Sequence, residues 1–598
     1  MDRKGWIVII ICVILGVLNW HYMQENAKLA QAEAAKKQEA KKTAEAATKV
    51  AEVKPAAATP AETTPKPAIA EIPEEKHSLT AGSVTYELTS KGGGIARAAL
   101  GGTDRVTLNQ NASEPVGALR REPAGQDAIP YKLTAKSDKS ATFVGTRPEG
   151  IEVTKTYTLT EGNESDEHLI DLTITLKNTG SAQHRSEEYY LYAGAASALK
   201  HDEERYDGFF WNDAGDADFY QSGYYAKPWF SEAKTEFRQT FGALRYAGVM
   251  GRFYTHIITR VNAKDAPAKF WSSRRKLSQP IDAAHAGKTD IVDHAYDAAI
   301  GLPTIDLAPG ATVSETYQIY LGPKEYDRLK KIGKQRSFAM FYGWFKPISI
   351  FLSWVMRWMH EMTGNWGVSI ILLTIFVRLC IWPIHAKSTF TMKRMGLLAP
   401  MMKELQEKYK DDPQKQQMEV MKLYRDYGVN PLGGCLPLFL QIPIFFGLYR
   451  VLEYAAELRG QGFLWVQDLA AADTVTQFAG FDINPLPLFM GVTMVAQMKL
   501  TPQPATADKT QQRIMMFMPV FFLFICYNFA AALALYWSTQ NIFSIAQTWI
   551  MKLYVPEPKL EKVTQKAPPK GPPPQNPFFN PMGHKEKKKG PKPPRLGG

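Results

Sequence analysis

The chain has 598 residues, 45% of them hydrophobic, a formal net charge of +12 and four cysteines. That length has room for several domains and argues against one compact fold. Cys12, Cys380, Cys435 and Cys526 all fall in apolar runs, which excludes a disulfide framework or a zinc spacing and leaves them as small hydrophobes expected to be buried.

The chain opens MDRKGWIVIIICVILGVLNWHY. Arg3 and Lys4 precede an apolar run that ends in the bulky set Asn19-Trp20-His21-Tyr22. A cleaved signal peptide is the alternative, but that set is no small-residue cleavage site, so residues 1–24 are expected to be an uncleaved transmembrane anchor with its positive end inside. Residues 25–76 are Ala, Lys, Glu, Thr and Pro with hardly an aromatic. Such a stretch cannot bury enough surface to offset its ordering entropy and is expected to be a disordered linker.

Residues 77–330 change to short runs such as SVTYELTS, YKLTAKS, ATFVGT, EVTKTYTLT and LIDLTITLKN. Thr, Val, Tyr and Ile at period two, broken by turn residues, predict antiparallel strands and a large β-sandwich. Acids stand near histidines at His201–Glu204 and Asp290–His294, without metal-ligand or triad spacing. GGGIARAAL lacks the context of a phosphate loop and reads as a strand-to-turn transition.

From residue 338 the composition is membrane-like. Residues 338–363 mix aromatic and apolar residues with Lys346, Arg357, His360 and Glu361, which predicts an amphipathic helix lying in the interface. Five apolar runs follow within 364–551: Trp366–His385, Leu432–Leu452, Pro485–Leu500, Ile514–Tyr527 and Phe529–Met551. The last two nearly fuse at Asn528, which implies a tight turn. With the N-terminus inside, the Lys- and Arg-rich segments 386–430, 501–513 and 552–598 fall in the cytoplasm and the acidic segment 453–484 outside, as the positive-inside bias requires. Both termini are then cytoplasmic. Residues 386–430 predict a helical hairpin: Met395, Leu398, Met402 and Leu405 keep helical spacing, Asp412-Pro413 starts a second helix carrying Met418 and Met421, and Gly428 stops it. Its methionines suit an adaptable binding surface or simply pack helix against helix. The tail 552–598 is basic and Pro-rich.

One residue stands out. Arg378 sits inside the run ILLTIFVRLCIWPIH, where a charge costs at least about 2.5 kcal/mol on insertion scales. Thr374, four residues earlier, shares its helical face. No Asp or Glu lies in any apolar run to pair with it, while Gln441, Gln497, Ser538, Gln540 and Asn541 could line a wet cavity. Snorkelling to the interface is the alternative.

The stretch VNPLGGCLPLFLQIPIFFGLYRVL, with GNWGVSIILLTIFVRLCIWPIHAKS before it and MGVTMVAQMKLTP and QQRIMMFMPVFF after it, resembles the YidC-type membrane protein insertases, Gram-negative form. The likeness runs from about Phe341 to Met551. It implies a polytopic α-helical membrane protein of the bacterial inner membrane: an N-terminal anchor, a five-span core and a large periplasmic antiparallel β-sandwich domain. The core would enclose a hydrophilic groove open to cytoplasm and lipid. Carried onto this chain, the groove residues are Arg378, Thr374, Gln441, Phe445, Met490, Met494 and Phe517, and the client-receiving hairpin carries Met395, Met402, Met418 and Met421. The resemblance implies insertion and folding of inner-membrane proteins, alone or with the Sec translocon, and no enzyme chemistry. Nascent membrane-protein clients are the implied partners, with the ribosome or anionic lipids engaged by the tail 552–598. No nucleotide, metal or cofactor is implied. The turn in YNFAAALALYW is less polar than in many such proteins. A secondary transporter or channel would be expected to show repeated halves and intramembrane acids, and a carbohydrate-active enzyme a pair of suitably spaced carboxylates. The latter would leave the five-run block without a role.

Overall fold

The computed structural model describes residues 73–101, 105–127, 129–162, 165–186, 189–199, 202–227, 232–261, 267–281, 293–430, 433, 436–478, 481–500, 509–554 and 560–562. The anchor expected over 1–24, the linker up to residue 72 and nearly all of the tail 552–598 lie outside them.

The period-two runs form strands. In Ile151–Leu159 every second residue is buried, and Leu169–Asn178 pairs with it antiparallel along its whole length. These strands sit in a nine-stranded sheet that runs from Lys132–Lys136 at one edge to Asp216–Gln221 at the other. A five-stranded sheet, with His294–Gly301 at its centre, packs on one face of it. Phe209, Val249 and Ile319 from the larger sheet and Leu191, Phe270 and Ile300 from the smaller share one core, so the domain is an antiparallel sandwich.

The other face of the nine-stranded sheet is not solvated. Phe210, Tyr246, Ile257 and Tyr320 belong to the same apolar core as Leu373, Leu448 and Ala532 of the helical half. Between the halves lie α1 (Tyr326–Lys331) and two 3-10 turns, Arg336–Met340 and Gly343–Phe345. Arg336 pins this segment: fully buried, its guanidinium donates to Ile332 O at 2.6 Å, Gln318 Oε1 at 2.8 Å and Thr259 Oγ1 at 3.1 Å.

The interfacial helix expected over 338–363 is shorter. Phe341 (φ 47°) and Gly343 (φ 68°) take left-handed conformations that a helix cannot continue through, so α2 starts at Lys346 and ends at Thr363. Leu352, Val355, Met356 and Met359 face the core, while Phe351, Trp354, Trp358 and Met362 form an exposed apolar stripe. Gly364 (φ 64°) closes α2, and Asn365 caps α3 (Trp366–Leu397) by accepting from Val368 N at 3.1 Å. This helix does not stop at His385, where the span is expected to end. Pro383 removes one backbone donor, and Ala386–Met395 contains neither Gly nor Pro, so α3 runs on to Leu397, 32 residues in all. The hairpin therefore begins later, as α4 (Ala399–Lys408) and α5 (Pro413–Asp426). Asp412 caps α5 through Lys415 N at 3.0 Å, and Gly428 (φ 59°) follows its end.

Three more helices complete the bundle before the last: α6 (Leu436–Tyr454), α7 (Pro485–Leu500) and α8 (Lys509–Cys526), joined by a tight turn to α9 (Ala531–Tyr554). Among the described residues one helix, α3, is long and apolar enough by length and composition to cross a membrane. The α7 helix has 16 residues, about 24 Å by helical rise, and α9 carries a run of polar residues described below. Cys526 is buried, but Cys380 is exposed on the outside of α3, contrary to expectation. Helical spacing turns it away from the face that carries Arg378.

Both halves meet in a charged junction. Asp202 accepts from Arg459 at 2.9 Å and Arg252 at 3.3 Å, and Arg252 Nε donates to Glu453 O at 2.9 Å. Tyr206 donates to Glu453 Oε1 at 2.9 Å, and Tyr449 reaches the same carboxylate. The sandwich, the loop after α6 and the α8–α9 turn thus cluster at one end of the bundle, where Ala531 N also donates to Ala471 O at 2.7 Å. The α4–α5 hairpin is at the far end of α3.

Lys324, buried in this junction, makes it pH-sensitive. Burial pulls its ammonium from 10.5 down to about 7, and the neighbouring Arg252 adds to this, against the opposing pull of Asp207, Glu453 and Asp202. A base whose folded pKa is depressed is penalised as a cation. Its contribution to stability therefore climbs as pH rises from about 7 to about 10.5, and the penalty is complete below 7. Burial, with Asp202 and Glu204, also pushes the Asp207 carboxyl up, against the pull of Lys324. Lys324→Met is expected to raise the thermal midpoint most below pH 7, by on the order of a few kcal/mol in stability, with the gain fading by about pH 10. A gain that does not vary with pH would show that Lys324 carries no desolvation penalty.

Candidate functional site

Arg378 lies midway along α3 and is 5% exposed, so its side chain reaches neither end of the bundle. Its Nε finds no hydrogen-bond partner and no carboxylate pairs with it among the described residues. α3 packs beside α9, whose Tyr536 phenol lies within electrostatic range of the guanidinium. Gln441 on α6 completes a short chain, its Nε2 within 3.4 Å of both Tyr536 Oη and Gln540 Oε1. One cation, one phenol and two carboxamides from three helices therefore meet inside an apolar bundle.

Polar side chains continue along α9 from this cluster, winding round the helix. Ser538, Asn541, Ser544 and Gln547 recur every three residues and are all buried. Asn541 Nδ2 donates to Thr493 Oγ1 on α7 at 3.1 Å and to Met490 O at 3.4 Å. Ser538 Oγ and Gln547 Nε2, like Arg378 Nε, have no protein partner among the described residues. Buried polar groups in proteins are satisfied in the great majority of cases. Each of these unmet groups is therefore a place where water or a polar peptide segment gains a hydrogen bond that the protein does not supply.

The other expected groove residues fall into separate environments. Thr374 is buried and spends its hydroxyl on Ile370 O at 2.7 Å, so it presents no free polar group. Phe445 packs edge-on against Trp537, ring centroids 5.1 Å apart. Met490 is buried beside Asn541 and Met494 is half-buried, both on α7. Phe517 on α8 is 64% exposed, and the α8 ring that reaches Trp537 is Phe522, at 5.1 Å. Five residues of α-helix turn a side chain by roughly 140°, so the two rings cannot share a face. Sequence reasoning also passed over Tyr536, Thr493, Ser544 and Gln547. The three-residue spacing of polar groups in α9 was the signal that pointed to the last two.

The four methionines expected in the hairpin divide, and Met395 falls on α3. Met395 and Met402 are buried with Leu398, Tyr424 and Val429, and Tyr424 Oη donates to Met402 Sδ at 3.3 Å. Met418 and Met421 are exposed on α5. Packing takes the first pair; the second remains open to a partner.

Two family models match the chain. The one described as "60Kd inner membrane protein" covers residues 358–558, and the one described as "YidC periplasmic domain" covers residues 119–355. A "Membrane protein insertase YidC" of Syntrophobacter fumaroxidans is 46% identical over 319 residues, which is 50% of this chain and 57% of that protein. Another, of Citrifermentans bemidjiense, is 32% identical over 486 residues, 77% of this chain and 82% of that protein. Against relatives matched like the first, the chain spans about half their length. Among solved structures, an active YidC insertase with its first transmembrane domain resolved aligns with 80% of this chain and 93% of its own, at 18% identity and a TM-score of 0.33. The sandwich is thus the periplasmic domain of this architecture and the helical half its inner-membrane core; the chain belongs to the YidC family of membrane protein insertases.

Proposed function

We propose that this protein inserts and helps fold inner-membrane proteins, receiving client segments on the cytoplasmic side and releasing them laterally into lipid. The observation that carries this reading is Arg378: a buried cation with no counter-carboxylate among the described residues, beside α9, whose Ser538 and Gln547 also carry unmet polar groups. A structural ion pair would have brought its own acid. An arginine kept without one is a site for an acid that arrives with the client.

The physical task follows. A polar tail crossing a bilayer is opposed chiefly by the hydrocarbon interior. Hydrating the polar groups beside Arg378 shortens that path, and the cation attracts acidic residues of the tail. The client's apolar segment then slides out between helices, driven by its own burial in lipid at about 25 cal/mol per Å². The work is binding and transfer, without covalent chemistry or nucleotide.

On this reading α3, α6, α7, α8 and α9 are five spans, preceded by an anchor in 1–24, and both termini are cytoplasmic. The α2 stripe of Phe351, Trp354, Trp358 and Met362 lies at the membrane interface. Met418 and Met421 on the hairpin offer clients an adaptable apolar surface. The Sec translocon is a partner for larger clients, and the basic tail 552–598 engages the ribosome or anionic lipid through phosphate.

The test is insertion into vesicles of phosphatidylethanolamine and phosphatidylglycerol that hold this protein as sole translocase. A small client with an acidic N-terminal tail should become protected from external protease. Equal protection in protein-free vesicles would end the proposal.

A further inference from the structure

The loop between α6 and α7 carries a small feature that insertion does not use. Thr476–Phe478 and Phe481–Ile483 form a two-stranded antiparallel ribbon. Cross-strand pairing puts Phe478 opposite Phe481, and Gln477 opposite Asp482 on the other face. The polar pair closes on itself, Gln477 Nε2 donating to Asp482 Oδ1 at 2.6 Å. The aromatic pair does not: Phe478 is 74% and Phe481 76% exposed.

The base of the ribbon is held by the α8–α9 turn. Tyr527 Oη, in the α8–α9 turn, donates to Asp482 O at 2.6 Å, and Asn484 Nδ2 donates to Tyr527 O at 2.9 Å. These bonds fix the ribbon at the ends of α7 and α8 that lie on the sandwich side. From there the apolar surface is continuous. Asn484 alone separates the ribbon from Pro485 of α7, whose Leu488, Phe489 and Val492 are exposed, as are Phe524 and Ile525 at the end of α8. In a member of an inner-membrane family those helix faces meet lipid, and the two phenylalanines extend the same apolar band beyond the helix ends.

We propose that this ribbon is a lipid anchor: Phe478 and Phe481 insert into the outer leaflet of the membrane while Gln477 and Asp482 face water. Its occupant is the acyl and headgroup boundary of that leaflet, a region that favours aromatic side chains on an amphipathic element. The ribbon holds the outer ends of the short α7 and of α8 at a set depth. The choice of leaflet rests on the five-span orientation proposed above.

The experiment uses the full chain with Cys12, Cys380, Cys435 and Cys526 replaced by serine and one new cysteine at a time: Gln477→Cys, Phe478→Cys, Phe481→Cys or Asp482→Cys. All four ribbon positions are exposed, so the new cysteines displace no buried side chain. In right-side-out inner-membrane vesicles, the cysteine at 477 should react with an impermeant maleimide added outside. In vesicles of phosphatidylethanolamine and phosphatidylglycerol, an environment-sensitive fluorophore at 478 or 481 should be blue-shifted. It should be quenched more by nitroxide near the headgroup than by nitroxide near the chain end. The same fluorophore at 477 or 482 should be quenched by aqueous iodide instead. Labelling of 477 only from inside would overturn the orientation and the leaflet together. External labelling of 477 with 478 and 481 open to iodide would overturn the anchor and leave the orientation standing. Crosslinking of 478 to a second copy in place of lipid quenching would also overturn it.

Discussion

Arg378→Ala is expected to cut insertion of a client with an acidic tail by about ten- to a hundredfold, the loss of one charge-assisted contact worth roughly 1.5–3 kcal/mol. Arg378→Lys keeps the charge and should keep most of the activity, and a client with a neutral tail should respond little to either change. Protease protection in vesicles measures all three. A mutant that merely unfolds would mimic the loss, but here the physics separates the two. An unpaired buried cation is a cost to the fold, so alanine at 378 should leave the thermal midpoint unchanged or raise it. Equal protection by all three proteins would reduce Arg378 to a structural residue, and insertion would then rest on hydration of the α9 polar groups and the client's own hydrophobicity.

Removing the α4–α5 hairpin, residues 399–427 closed by a short linker, should bring insertion to background while the remaining helices still fold. The hairpin has its own small core of Leu398, Met402, Tyr424 and Val429, separate from the bundle's core. Excising the sandwich should cost less activity, provided the cut spares 324–342. That segment matters because Leu329, Ile332, Ala339 and Met340 belong to the bundle's apolar core and Arg336 is buried beneath them. A cut that takes them exposes apolar surface and should destabilise the helices as well. Insertion yield and thermal midpoint, measured on both deletions, check the order. Comparable loss from the two would deny the hairpin a receiving role.

The junction shows why the outer domain is not a passive appendage. Asp202 and Arg459 are 257 residues apart in sequence, and their ion pair ties the sandwich to the loop after α6. Nothing in either local stretch announces the other. A charge in a polar strand connection and a charge in an acidic loop each look like ordinary surface residues until the fold brings them together.

Legibility followed the range of the physics involved. Period-two alternation is a property of neighbouring residues, and strands such as Ile151–Leu159 and Leu169–Asn178 are readable from their own composition. The Asp412-Pro413 start and the Gly428 stop of α5 are equally local, because a cap needs only its own first or last turn. Arg378 was conspicuous for the same reason: a lone charge in an apolar run is a local anomaly. What such signals leave open is how each helix is rotated about its axis and where it ends when no breaker intervenes. Thr374 turned its hydroxyl back to Ile370, Phe522 met Trp537, and α3 ran on to Leu397. By itself, then, the sequence determined the order of the elements, their caps and the presence of an arginine inside an apolar run. Only the tertiary structure decided that Arg378 is buried where α3 packs on α9, and that the sandwich shares a core with the bundle. Those outcomes depend on the packing of residues hundreds of positions apart, and no period within one element encodes them.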